Sequence, residues 1–182
     1  MPTFVRRRRR VPQPTMAEVK TELLAIYLQD HLAGATAAVE LCRRAAGAHQ
    51  GSSLGDVLEV LTLEATSDRQ ALVDLMALME VPPDRIKMAA AWLGEKVGRL
   101  KLNGAIMRRS PLSDVVELEA MRMALEWKAA GWRVLRALSD SEPRLAAADL
   151  DGLLARAADQ ITRVEDLRLT VARERLTDSR GP

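Results

Sequence analysis

Leu54 to Met79, LGDVLEVLTLEATSDRQALVDLMALM, is the stretch whose reading decides the fold. At about 100° per residue, Leu54, Val57, Leu58, Leu61, Ala65, Leu72, Leu75, Met76 and Met79 fall on one stripe of a helix. Two acids share that stripe, Asp68 within it and Glu64 toward one edge. An acid on a buried stripe needs a partner, because an unpaired buried charge is costly. The rest of the chain is therefore read for what could meet Glu64 and Asp68.

Upstream, Thr15 with Glu18 forms a capping-box pattern that opens a helix over Met16 to Ala48. Its stripe is Leu24, Leu28, His31, Ala35, Ala38 and Cys42, with small residues in the second half. Gly47, Gly51, Ser52 and Ser53 mark a short turn into the second helix, over about 53 to 80. Val81-Pro82-Pro83-Asp84 stops it. A shorter helix is expected over about 84 to 107. Ser110-Pro111 then reads as a cap and first position of a helix running to about Ser139.

That helix carries two apolar stripes. One holds Leu112, Val116, Glu119, Met123, Trp127, Ala130 and Val134; the other holds Leu118, Met121, Leu125, Trp132 and Leu135. The second of these is expected to meet the 84–107 helix or another copy of the chain. The last helix is expected from Pro143 to Leu176, facing inward through Ala146, Leu150, Leu153, Ala157, Ile161, Val164 and Val171, with Gln160 at the stripe edge. No strand pattern occurs.

Composition agrees with an all-α chain, since aromatics are 3% and Ala, Leu, Arg and Glu dominate. The net charge of +2 depends on Arg6, Arg7, Arg8, Arg9 and Arg10; subtracting those five from +2 leaves −3 on the rest. Residues 1–15 read as a disordered Arg-rich tail, 16–177 as one helical-bundle domain and 178–182 as a frayed end. The tail could contact nucleic-acid phosphates, but it lacks interleaved aromatics for base stacking. The lone Cys42 excludes an intrachain disulfide and reads as a small buried hydrophobe. No apolar run reaches the ~20 residues of a membrane span, and a cytoplasmic location is expected by elimination.

Measured from the two hairpin turns, His31, Glu64, Asp68, Glu119, Glu126 and Gln160 fall within about two helical turns of one level. Two long hairpins, a crossover and inward acids at mid-height resemble the ferritin-like superfamily. The resemblance implies an antiparallel four-helix bundle with an additional shorter crossover helix. In its di-iron members one Glu comes from each of two helices and Glu-x-x-His from the other two. Here the corresponding segments are Glu64-Ala-Thr-Ser67 and Gln160-Ile-Thr-Arg163, with His31 where a Glu is expected and Glu119 in a family-like position. Other segments, such as Leu100-Lys-Leu-Asn-Gly104 and Glu117-Leu-Glu-Ala120, look like those of small bacterial helical proteins.

The leading expectation is a non-catalytic, self-associating scaffold, a homodimer or higher oligomer, whose polar layer is a hydrogen-bonded network. Arg122, Arg168 or Arg175 would add charge pairing. The alternative is a metal site on His31, Glu64, Asp68 and Glu119, suited by ligand type to Fe, Mn or Zn in an oxidoreductase or a metal store. Glu126 and Gln160 would complete the layer. A small-molecule pocket and nucleic-acid binding by the Arg tail are further readings.

Overall fold

The computed structural model describes residues 16–83, 110–145 and 148–177. The Arg6–Arg10 tail, the 84–107 crossover and the C-terminal residues 178–182 lie outside the described residues. Within the described residues there are four α-helices and no strand: α1 Met16–Ala48, α2 Ser53–Leu78, α3 Pro111–Leu138 and α4 Leu150–Leu176.

Local chemistry sets most of the boundaries. The Ser52 hydroxyl accepts from the Gly55 amide, capping α2. Ser110 caps α3 by accepting from the Leu112 amide, with Pro111 in the first turn where no N–H is needed. α2 ends in a Schellman-type turn: the Val81 amide donates to the Met76 carbonyl and the Glu80 amide to that of Ala77. The left-handed position is held by Glu80 (φ 57°), where glycine is the usual occupant.

α4 begins seven residues later than the sequence pattern places it, at Leu150 rather than Pro143. Two contacts, one of them long-range, prevail over helix propensity. The Arg144 guanidinium folds back onto Glu142 and donates to the Met79 carbonyl, tying the connection to the end of α2. The Asp149 carboxylate then accepts from the Gly152 amide, which starts the helix there. Leu145, fully buried, plugs that end of the core.

α1 packs on α2, α3 on α4, and α1 on α3. At one end, His49 of the first turn meets Asp114 near the start of α3, and Asp114 accepts from Arg175 at the end of α4. At the other end, Gln29 of α1 donates to the Pro82 carbonyl and Arg144 to Met79. The helices therefore run up, down, down, up. The core falls into two clusters. Leu28, Leu32, Leu72, Met76, Trp132 and Leu135 lie toward the Arg144 end, and Cys42, Leu58, Leu61, Leu118, Met121 and Val164 toward the His49 end.

α3 is rotated relative to the sequence expectation. Leu118, Met121, Trp132 and Leu135 face the core, whereas Leu112, Val116, Met123, Trp127 and Val134 are exposed. The stripe assigned to an external partner is thus the internal one. Two apolar stripes on one helix fix its faces, but only its neighbours decide which face turns inward. Val57 of α2, counted on the core stripe, also lies exposed at its edge. No described helix is long and apolar enough to cross a membrane.

Candidate functional site

The side of the bundle between α2 and α4 is closed by charge. Glu64 and Asp68 stand one turn apart on α2, and Arg156, Gln160 and Arg163 recur at i, i+4 and i+7 on α4. The two rows face each other antiparallel. Arg163 donates from Nη2 to both Glu64 oxygens at 2.8 and 2.7 Å, so one guanidinium nitrogen bridges the carboxylate. The Arg156 guanidinium donates to Asp68 Oδ1 at 2.7 Å. Gln160, 1% exposed, donates from Nε2 to Glu64 at 3.1 Å. Its Oε1 accepts from Lys128, which reaches across from α3 and also donates to Asp68 Oδ2.

Asp68 is 3% exposed and has two cations on it. Lys128 is held by the same contacts, although burial pulls its ammonium below the ordinary lysine range and Asp68 opposes that pull. Replacing water around these ions demands good geometry, and the ladder supplies a partner for each charge.

The side between α1 and α3 is built differently. His31 lies buried with its ring stacked on Trp127 (centroids 4.9 Å apart) and tilted against Tyr27 (4.4 Å). It lies directly on the backbone of Gly131, where a Cβ would come within 2.8 Å of ring atoms. Reciprocally, the Trp127 indole crosses Gly34 at 3.4 Å from a Cβ position. Each helix thus offers a ring to the other's glycine. Burial lowers the His31 pKa below its ordinary value, with Asp30 partly opposing, which keeps the imidazole neutral at pH 7.

Between these two sides is a pocket of about 190 Å³. It exists because small residues occupy inward positions on three helices: Gly34, Ala35 and Ala38 on α1, Ala65 on α2 and Ala124 on α3. Leu28, Leu72 and Leu135 form apolar wall, and Lys128, Asp68 and Gln160 form the polar end. Trp127, 55% exposed, lines the α1–α3 edge together with partly exposed Tyr27 and Gly34, so the mouth lies there. A closed, empty cavity of this volume would destabilise the fold by roughly 4 to 5 kcal/mol at ~24 cal/mol per Å³. The indole N–H of Trp132, another wall residue, is buried without a hydrogen-bond partner. Cys42 also lines the pocket, and burial pushes its thiol up to about 11, which makes it a poor nucleophile at neutral pH.

Of the residues singled out in the sequence, Glu64, Asp68 and Gln160 meet in one network, and His31 lines the same pocket as Asp68 and Gln160. Glu119 does not join them. Its side chain is 50% exposed and accepts from Arg168 at 3.3 Å, because it sits on the outward stripe of α3. Glu126 is likewise part-exposed and pairs with Arg122 along the helix. Among the described residues, no three His, Cys, Asp or Glu side chains cluster as a metal would require. His31, Glu64, Asp68 and Glu119 do not form one ligand set: one is enclosed by rings, two are held by guanidinium and ammonium groups, and one faces outward.

The partners of Glu64 and Asp68 are Lys128, Arg156 and Arg163, which sequence reasoning did not name, whereas the Arg122 and Arg168 that it did name pair with Glu126 and Glu119. The signal was present as matching ladders, acids at i and i+4 facing Arg-Gln-Arg at i, i+4 and i+7.

Compared with known proteins, the chain matches no family model, no curated protein and no solved structure. Its function is therefore argued from this geometry.

Proposed function

We propose that this chain is a ferritin-like helical bundle of non-catalytic type that binds a small apolar molecule at mid-height. The up, down, down, up course of the helices supports the ferritin-like reading. The observation that carries the binding function is the 190 Å³ pocket. It lies where the bundle could have been packed with larger side chains and was not. Beside it, Arg156, Lys128 and Arg163 satisfy the acids that a metal would otherwise neutralise. An occupant would recover the contacts that the small residues leave unmade.

The test uses 1-octanol as a neutral apolar probe, followed by calorimetry and by fluorescence of Trp127 and Trp132, both in the pocket wall. Saturable one-to-one binding is expected. It should be lost in an Ala38→Leu/Ala124→Leu variant that fills the space. Absence of binding to the wild-type chain removes the reading.

A second reading, self-association, is favoured by a separate observation. Met123 (68% exposed), Trp127, Val116 and Leu112 leave an exposed apolar stripe on α3, interrupted by Glu119. Light scattering at micromolar concentration tests it, and a strict monomer counts against it.

A further inference from the structure

This inference rests on the pocket reading and identifies the class of molecule that would occupy it. We propose that the occupant is a small amphiphilic monocarboxylate, its apolar body in the pocket and its carboxylate on Lys128.

Asp68 is shared by Lys128 and Arg156, so two cations stand on one carboxylate. Glu64 stands one turn away on Arg163, which it shares with Asp159, so it is not in direct contact with Lys128 or Arg156. Gln160 commits its oxygen to Lys128 and its amide N–H to Glu64. Over the whole ladder Lys128, Arg156 and Arg163 are matched by Asp68, Glu64 and Asp159, and only at Asp68 do two cations share a single carboxylate. An anion beside Lys128 would give it an acceptor of its own, whereas a cation there would face an ammonium that already shares its carboxylate with Arg156.

Donor capacity gives the same answer. An ammonium has three N–H bonds. Lys128 spends two, on Asp68 and on Gln160. The third is available to an acceptor in the pocket that Lys128 lines. A carboxylate oxygen is the strongest such acceptor in a low-dielectric site. The opposite wall offers no competing charge: it is aliphatic and aromatic, and His31 within it is kept neutral by burial.

Volume limits the body. A dry cavity of about 150 Å³ in another protein accepts benzene. The 190 Å³ here therefore suits one substituted ring or a chain of about eight carbons. The mouth beside Trp127 gives access without unfolding the bundle.

The experiment compares octanoate, 1-octanol and octylammonium on the full wild-type chain at pH 7.5 by calorimetry. Octanoate should bind at least tenfold tighter than 1-octanol, and octylammonium weaker than either. In Lys128→Gln the octanoate advantage should fall to within about twofold while 1-octanol binding persists. If that variant does not fold, the wild-type comparison alone decides. Equal affinity of octanoate and 1-octanol overturns this inference and leaves the pocket reading standing. Failure of all three probes to bind removes both. Octanoate binding that survives the Ala38→Leu/Ala124→Leu filling variant places the carboxylate elsewhere and overturns the inference as well.

Discussion

The α2–α4 side of the bundle and its α1–α3 side solve the same packing problem with different chemistry. On the first, long charged side chains reach across and pair, Arg163 with Glu64 and Arg156 with Asp68. On the second, glycines let rings lie against backbone, His31 on Gly131 and Trp127 on Gly34. Ion pairs of this kind fix register and add little net stability. Glycine seams bring helices close but leave volume wherever small residues continue past the ring. The pocket lies where the second scheme meets the first, and it has inherited one wall from each. That explains how a nearly apolar space comes to have a charged end.

The largest effect should come from breaking the charged side at its buried end. Asp68→Ala leaves Lys128 and Arg156 without their shared partner and should destabilise by about 3–5 kcal/mol in urea unfolding. Glu119→Ala, the same kind of charge on the outward stripe, should change stability by less than about 0.5 kcal/mol. Similar losses at both positions would erase the distinction between the two settings.

Next is the ring-on-glycine seam. Gly131→Ala places a methyl within 2.8 Å of the His31 ring, which Tyr27 and Trp127 hold in place. A loss of about 1–3 kcal/mol is expected despite the better helix propensity of alanine. A stabilised variant would show that His31 moves freely and that the seam is not tight.

Filling the pocket should act in the opposite direction. Ala38→Leu/Ala124→Leu is expected to raise stability by roughly 0.5–2 kcal/mol while abolishing probe binding. Destabilisation would mean that the space is smaller or more rigid than its volume indicates.

The smallest effect is a pH dependence specific to the α1–α3 side. The His31 imidazole has a folded-state pKa below its ordinary value because of burial. Below about pH 6.5 the unfolded chain therefore takes up the proton more readily. Stability from this group is fully present above that pH and is lost as pH falls toward the lower folded value. His31→Gln should show a shallower decline between pH 6.5 and 5 in denaturation midpoints. An identical decline in both chains would assign the slope to other groups.

How much of this could be read from the sequence follows from the range of the forces involved. The starts of α2 and α3 were legible because Ser52, Ser110 and Pro111 act on their own helix ends. The start of α4 was not, since the Arg144 contact with Met79 joins residues 65 positions apart. The inward place of Asp68 and Gln160 was legible from helical phase. The rotation of α3 was not, because two apolar stripes satisfy the same periodicity and only packing against α1 and α4 selects one. Lys128, Arg156 and Arg163 escaped notice for a related reason. A charged residue at a stripe edge reads as solvated, although its long stem can carry the charge inward to a partner. The pocket was visible only in outline, as the run of small residues in the second half of α1. Whether small residues mean close helices or empty space depends on what faces them.

The most direct measurement is a crystal of the wild-type chain pressurised with xenon, set beside one of the Ala38→Leu/Ala124→Leu variant. The account predicts a xenon peak among Leu28, Ala38, Leu72 and Ala124 in the wild type, and none in the variant. A wild-type structure with no xenon there, its side chains closed over the site, would contradict it.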